Sequence, residues 1–335
     1  MILLPRRRAG GETLLRVTDN SQPYSGRVPW ECIIISNVRP AGASCHPPPR
    51  PAFYVRMDDR GLEELDGDEV FALLVSAAIA LVGAAGWYHS LFSVTHLASP
   101  PRHRAILALV PLACLSGLQP ILSCCAAHEV REGAQYDVLF LLGGVAWLAL
   151  TGLMLPFVGL SARDDAIETK NPAAVAAVCG AWVGMTCSYA GGNVGEGPTI
   201  WTTFLPAALA GGTLLTAWLI VELFTRVSEA ITIDRDTASG VRLAGFLIAS
   251  GIVLGRAVAG NWLSWEDTLA DFLLDGSPVI PLILFAVIFQ YRWNPTRDRP
   301  LHAVRRRGLL PALIFVAGAA AYVIVLGPTN HARGH

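Results

Sequence analysis

Ser161–Tyr189 reads SARDDAIETKNPAAVAAVCGAWVGMTCSY, and Arg226–Leu254, sixty-five residues on, reads RVSEAITIDRDTASGVRLAGFLIASGIVL. In each, a short charged stretch ends in Asn or Asp and an Ala/Gly-rich apolar helix begins. At that offset Asn171 aligns with Asp236, Ala173 with Ala238 and Gly180 with Gly245. Asn and Asp accept hydrogen bonds from the free amides of a helix's first turn. Pro172 then occupies the helical position where a missing N–H costs nothing. Each helix carries a G-x-x-x-G, Gly180/Gly184 in the first and Gly251/Gly255 in the second. Bare backbones approach closely there, and packing replaces the hydrophobic drive that lipid cannot supply. Gly143-Gly144 and Gly211-Gly212 suggest similar close contact in the preceding spans. The expectation is a core of two helical hairpin repeats, parallel rather than inverted because each unit crosses the membrane twice.

Working outward, the chain has 53% hydrophobic and 15% charged residues, against about 25% charged in an average soluble domain. Its mean hydropathy is +0.47. A bilayer core needs about 20 apolar residues per helix. Eight stretches qualify: Val70–Ser90, Ala105–Ala126, Val138–Gly159, Ala173–Tyr189, Ile200–Phe224, Gly240–Val258, Phe272–Tyr291 and Leu309–Gly327. The seventh is interrupted by Asp275, Gly276, Pro278 and Pro281, so it reads as short or tilted. None alternates as a barrel strand would. The fold class is an all-α membrane protein of about eight transmembrane helices.

Basic residues of short loops favour the cytoplasm. Loops after spans one, three, five and seven, with adjoining helix ends, hold thirteen, among them Arg163, Lys170, Arg226, Arg235, Arg242 and Arg305–Arg307; the other loops hold Arg131. Both termini should then lie outside the cytoplasm and both repeat motifs face it. Residues 1–56 oppose this with eight arginines, three acids and eight prolines and no signal-peptide core. From Met57 on, Asp58, Asp59, Glu63, Glu64, Asp66, Asp68 and Glu69 surround a single Arg60. The expectation is that translation begins at Met57 and 1–56 is upstream sequence; a disordered tail is the competing reading. The expected units are 1–56, an N-terminal hairpin at 57–136, the duplicated core at 137–262 and a C-terminal hairpin with a short tail at 263–335.

Glu168-Thr169-Lys170-Asn171-Pro172-Ala173-Ala174 with Gly180 and Gly184, then Ser228-Glu229 with Asp236-Thr237-Ala238-Ser239-Gly240, resemble the YjfL-like inner-membrane proteins, an uncharacterised bacterial family built from two such hairpins. The resemblance covers about 137–262. It departs from the family where Asp236 stands in place of an Asn and where an extra hairpin flanks each side. It implies a multi-pass protein of the bacterial inner membrane, and carries no known activity or catalytic residues.

Ionisable groups inside a membrane are the best pointers to function. Arg256 lies about 24 Å along its span, near the outer surface, where it can snorkel or pair with Glu196, Glu266 or Asp267. Glu222 lies near the opposite face. Mid-depth polar residues are Gln119, Thr151, Thr186, Thr213, Thr216 and Ser250, with no buried carboxylate or histidine of the kind a proton-coupled pump uses. His89, His96 and His103 recur every seven residues, about 10 Å apart on a helix, too far for one ion. The seven cysteines have no metal or disulfide spacing. Ala190–Pro198 is glycine-rich but lacks the Gly-Lys-Ser/Thr of a phosphate cradle; it reads as a flexible turn, with Asn193 and Glu196 as its candidate outer-face polar groups. Glu168, Asn171, Asp234 and Asp236 either cluster on the pseudo-twofold axis to hold a cation or partner, or are two caps and two solvated charges.

No nucleophile, base and metal-ligand constellation supports an enzyme, and no metal or cofactor is called for. A net charge of −1 argues against nucleic acid. The expected partners are the lipid bilayer and either further copies of the chain or another membrane protein. The leading expectation is a non-enzymatic structural or regulatory membrane protein; the runner-up is a small-solute channel or transporter lined by the two core hairpins.

Overall fold

The computed structural model describes residues 65–93, 101–127, 130–131, 133–262, 264–293 and 304–327, so residues 1–56, the Met57 start and His96 lie outside the described residues. Ten α-helices are described: α1 (Gly67–Phe92), α2 (Pro101–Cys125), α3 (Ala134–Met154), α4 (Pro172–Gly192), α5 (Trp201–Thr225), α6 (Val227–Thr232), α7 (Thr237–Ala257), α8 (Trp265–Asp275), α9 (Val279–Trp293) and α10 (Leu310–Leu326). Eight stretches are long and apolar enough to cross a membrane. This is an all-α membrane fold.

The seventh span differs from expectation. It runs over Trp265–Trp293 rather than starting at Phe272, and is made of two helices, α8 and α9. The residues that interrupt the apolar run, Asp275 to Pro278, break the helix without ending the crossing.

The hairpins α1/α2, α3/α4, α5/α7 and α8–α9/α10 stand side by side. Tyr136 Oη donates to Glu69 Oε2 across 67 residues, Arg242 Nη1 to the Arg307 carbonyl across 65, and Tyr291 Oη to the Phe224 carbonyl across 67. Such a constant step places each span beside its counterpart in the next hairpin, running the same way. The result is two rows. One row is α2, α4, α7 and α10; α1, α3, α5 and α9 form the other. The flanking hairpins thus join the same stack as the central pair.

The α4–α7 seam shows why small residues occur where they do. Ala173 lies against Gly240 at one end, Gly184 against Gly251 midway and Gly191 against Gly255 at the other. A Cβ on Gly180 would strike Ala244, and one on Gly255 would strike Cys187. All four G-x-x-x-G glycines therefore lie in one parallel seam, backbone against backbone. The second glycine pairs behave differently from expectation. Gly143 meets Tyr189 and Phe204, Gly144 meets Leu118, Gly211 faces the Trp147 ring, and Gly212 has nothing within 4 Å. They make room for side chains rather than for another backbone.

The segments leading into α4 and α7 share their construction. A short helix precedes each, the π-helical turn Ala162–Glu168 in one case and α6 in the other. Lys170 (φ 57°) and Arg235 (φ 54°) then take the left-handed conformation, rare for residues with a Cβ. Asn171 Oδ1 accepts from the Ala173 amide at 3.0 Å. The Asp236 carboxylate accepts from the Ala238 and Ser239 amides at 3.2 and 2.9 Å. After 21 residues in each helix, Gly195 and Gly260 follow, both with positive φ.

Candidate functional site

The most concentrated buried polar chemistry lies at the start of α7. Asp236, Ser239, Arg242 and Gln290 are all buried, Ser239 completely. Asp236 spends its carboxylate on the helix start, yet Oδ2 also accepts from Ser239 Oγ at 2.5 Å and stands 3.7 Å from Arg242 Nη2. Arg242 donates Nη2 to Ser239 Oγ (2.8 Å), Nε and Nη2 to Gln290 Oε1 (3.2 and 2.7 Å), and Nη1 to the Arg307 carbonyl (2.6 Å). Gln290 Nε2 returns a bond to Ser239 Oγ at 2.9 Å. Each nitrogen of the guanidinium fork thus has an acceptor, as an arginine away from water requires. Three elements meet here: α7, the end of α9 and the turn before α10.

Arg242, counted above among the basic residues of loops and helix ends, is 4% exposed inside the protein. One signal was available: an arginine six residues beyond a capping acid, in a membrane-length helix whose other charged residue, Arg256, lies in its last turn. Gln290, 48 residues away, had none.

Arg256 makes a second, smaller latch at the other end of α7. It lies in the last turn of the helix and is 7% exposed. Its Nη1 lies 3.6 Å from the Asp275 carboxylate, which is not among the three acids expected, and its Nη2 donates to the Gly327 carbonyl at 3.2 Å. Tyr322 Oη donates to the Asp275 carbonyl at 3.0 Å. The break between α8 and α9 is what delivers Asp275 to this arginine.

The four-residue motif at the two helix starts does not assemble as one cluster. Asn171 and Asp236 are buried caps, and Asn171 Nδ2 also donates to the Ile231 carbonyl at 2.6 Å, tying the start of α4 to the segment before α7. Glu168 pairs with Arg163 at 3.0 Å, and Asp234 is exposed. At the opposite end, the loop after α4 is tied rather than flexible. Gly195 N donates to the Cys125 carbonyl (3.3 Å), Gly260 N to the Val194 carbonyl (2.8 Å) and Trp262 N to the Glu196 carbonyl (2.8 Å). Glu196 N donates to Asn261 Oδ1 at 2.8 Å while the residue stays exposed. Asn193 is buried, its Nδ2 on the Tyr189 carbonyl at 2.7 Å.

Of the remaining polar candidates, Ser250 is fully buried and its Oγ has no partner among the described residues. Thr151, Thr186 and Thr216 donate to carbonyls one turn back, and Gln119 donates to Asp137 at 2.8 Å. His103 Nδ1 lies 3.2 Å from the Ala166 carbonyl. No group of three or more His, Cys, Asp or Glu suited to a metal ion occurs among the described residues.

With this geometry in hand, comparison with known families bears on the C-terminal part of the chain. Residues 196–327 match the Domain of Unknown Function (DUF350). That segment fits an uncharacterised membrane family and spans α5 to α10, so it shares 196–262 with the stretch that carries the resemblance described above and adds the C-terminal hairpin. Both arginine latches fall wholly inside it. No curated protein and no solved structure matches the chain.

Proposed function

We propose that this is a non-enzymatic membrane protein of the bacterial inner membrane, structural or regulatory in role, whose loops before α4 and α7 face the cytoplasm and whose termini lie outside it. The observation that carries the reading is the α4–α7 seam. A path between the two central hairpins needs open space there, and backbone contacts from Ala173/Gly240 to Gly191/Gly255 fill it. At the start of α7, Asp236, Ser239 and Arg242 are spent on one another and on Gln290 rather than presented to a passing solute.

In this reading the core is a duplicated hairpin of the YjfL-like kind. Its support is the shared helix start (a left-handed cation, then a buried cap), the equal helix lengths and the glycines sixty-five residues apart. The constant step from hairpin to hairpin supports extending the duplication to all four. The exposed cations Lys170, Arg226 and Arg235 leave that face available to anionic headgroups or to a protein partner, including another copy of the chain.

Reconstitution in liposomes with a panel of ions and small neutral solutes tests the reading. Flux should stay at the protein-free background. Flux above it, abolished by Gly184→Leu in a chain that still inserts, would overturn the proposal in favour of a channel or transporter.

A further inference from the structure

A crevice of about 830 Å³ opens between α1, α2, α3 and α4. It arises because α1 leans on α3, with Gly83 against Ala149, instead of lying along α2. Its floor is the Trp87–Trp182 pair, ring centroids 4.4 Å apart, and Trp182 belongs to the middle of α4. Its walls include Val82, Leu112 and Leu153, which are 73, 52 and 60% exposed. The crevice is therefore continuous with the lipid-facing surface of the bundle.

The chemistry of the lining narrows the occupant. Trp87 Nε1 donates to the Leu107 carbonyl, Tyr88 Oη to the Ala108 carbonyl and Ser90 Oγ to the Trp87 carbonyl. These polar groups are spent within the protein. Trp182 Nε1 has no acceptor among the described residues, but that atom is sealed off from the crevice. Nothing in the crevice asks for a hydrogen-bonding or charged ligand.

Size narrows it further. The α1 wall runs from Ala78 to Ser90, about 18 Å at 1.5 Å per residue. An extended alkyl chain lies along that length, against a lining that offers it apolar contacts throughout. The volume lies within the roughly 300–1,000 Å³ usual for sites that bury most of a small ligand.

We infer that this crevice is an acyl-chain site, in which one tail of a bilayer phospholipid enters between α1 and α2 and reaches the Trp87–Trp182 pair at the middle of the fold. The tail supplies the contacts that α2 does not give α1, which explains how α1, the least buried span, keeps its place.

The full chain is reconstituted in phosphatidylcholine vesicles with acyl chains brominated near their midpoints, and Trp182 emission is read as the difference from a Trp182→Phe variant. The expected result is loss of most of the Trp182 emission although the ring is 3% exposed. Gly86→Phe, at a lining glycine whose Cβ meets nothing within 4 Å, should fill the crevice and restore that emission. Helical circular dichroism and a single elution peak establish that the variant is folded. Should Gly86→Phe misfold, Leu112→Trp read by bromolipid quenching of the added indole replaces it, with strong quenching relieved by Val82→Phe expected. Unquenched Trp182 in the unsubstituted chain overturns the inference, since the crevice is then closed or filled by protein. Equal quenching with and without the filling substitution overturns it too, because bromine then acts from outside the bundle.

Discussion

The two sides of α7 are sealed by different means. Toward α4 the contact is glycine on backbone along the whole length, with no ion pair. Toward α10 there is also close approach, Gly245 on Ala312 and Gly308 on Ala238, but each end is held by a buried arginine, Arg242 with Asp236, Gln290 and the Arg307 carbonyl, and Arg256 with Asp275 and the Gly327 carbonyl. Small residues let helices approach but specify register weakly, since one Ala/Gly stripe fits another at several offsets. Buried charges tolerate one arrangement, because any slip leaves a group unpaired in a medium that cannot solvate it. The α4 seam sits in the centre, trapped by neighbours on both sides. The outer hairpin has a free flank, and there the polar latches do the positioning.

Removing a latch should have the largest effect. Arg242→Ala strands Asp236 and Gln290 in the interior, a loss on the order of 3–5 kcal/mol. Thermal unfolding in detergent should show it, and cysteine crosslinking between α7 and α10 should lose its single register. Arg256→Ala should cost less, because Asp275 keeps 25% side-chain exposure and can reach water. Equal losses from the two would break the comparison.

Overfilling the other seam comes next. At Gly251 an added Cβ meets the Gly184 backbone, so Gly251→Leu forces the helices apart at a cost of about 1–3 kcal/mol. Gly212→Leu, where nothing lies within 4 Å, should leave stability unchanged in the same melt. If both variants melted alike, backbone contact would not be what holds α4 to α7.

The smallest effect runs the other way. Lys170 and Arg235 hold positive φ, which costs an L-residue about 1–2 kcal/mol. Lys170→Gly and Arg235→Gly should therefore each raise the melting temperature slightly, and by similar amounts if the starts of α4 and α7 are equivalent. A fall would mean that the cationic side chains contribute more than their backbones cost.

The spans were legible because an apolar run of sufficient length has one stable destination in lipid. The caps at Asn171 and Asp236 were legible because they act within three residues of their own sequence. Where reading failed, the missing information was non-local. Asp275, Gly276 and Pro278 interrupt the seventh apolar run and hide how far it extends before them; the neighbouring α7, whose Arg256 takes up Asp275, accommodates the break within a span that starts at Trp265. Gly143 and Gly211 look like Gly180 and Gly184, yet what they face is a ring or a backbone according to which helix lies opposite.

By itself the chain determined that it would cross the membrane as helices, where two of them start, and which stripe of glycines would be shared, since hydropathy, capping and side-chain volume are properties of short stretches. Tertiary structure alone decided that four hairpins stand in register, that Arg242 is a buried latch rather than a loop cation, and that α1 leans away from α2 to open a crevice. Those outcomes depend on what is placed opposite each residue, and partners 48 to 71 residues away are set by packing.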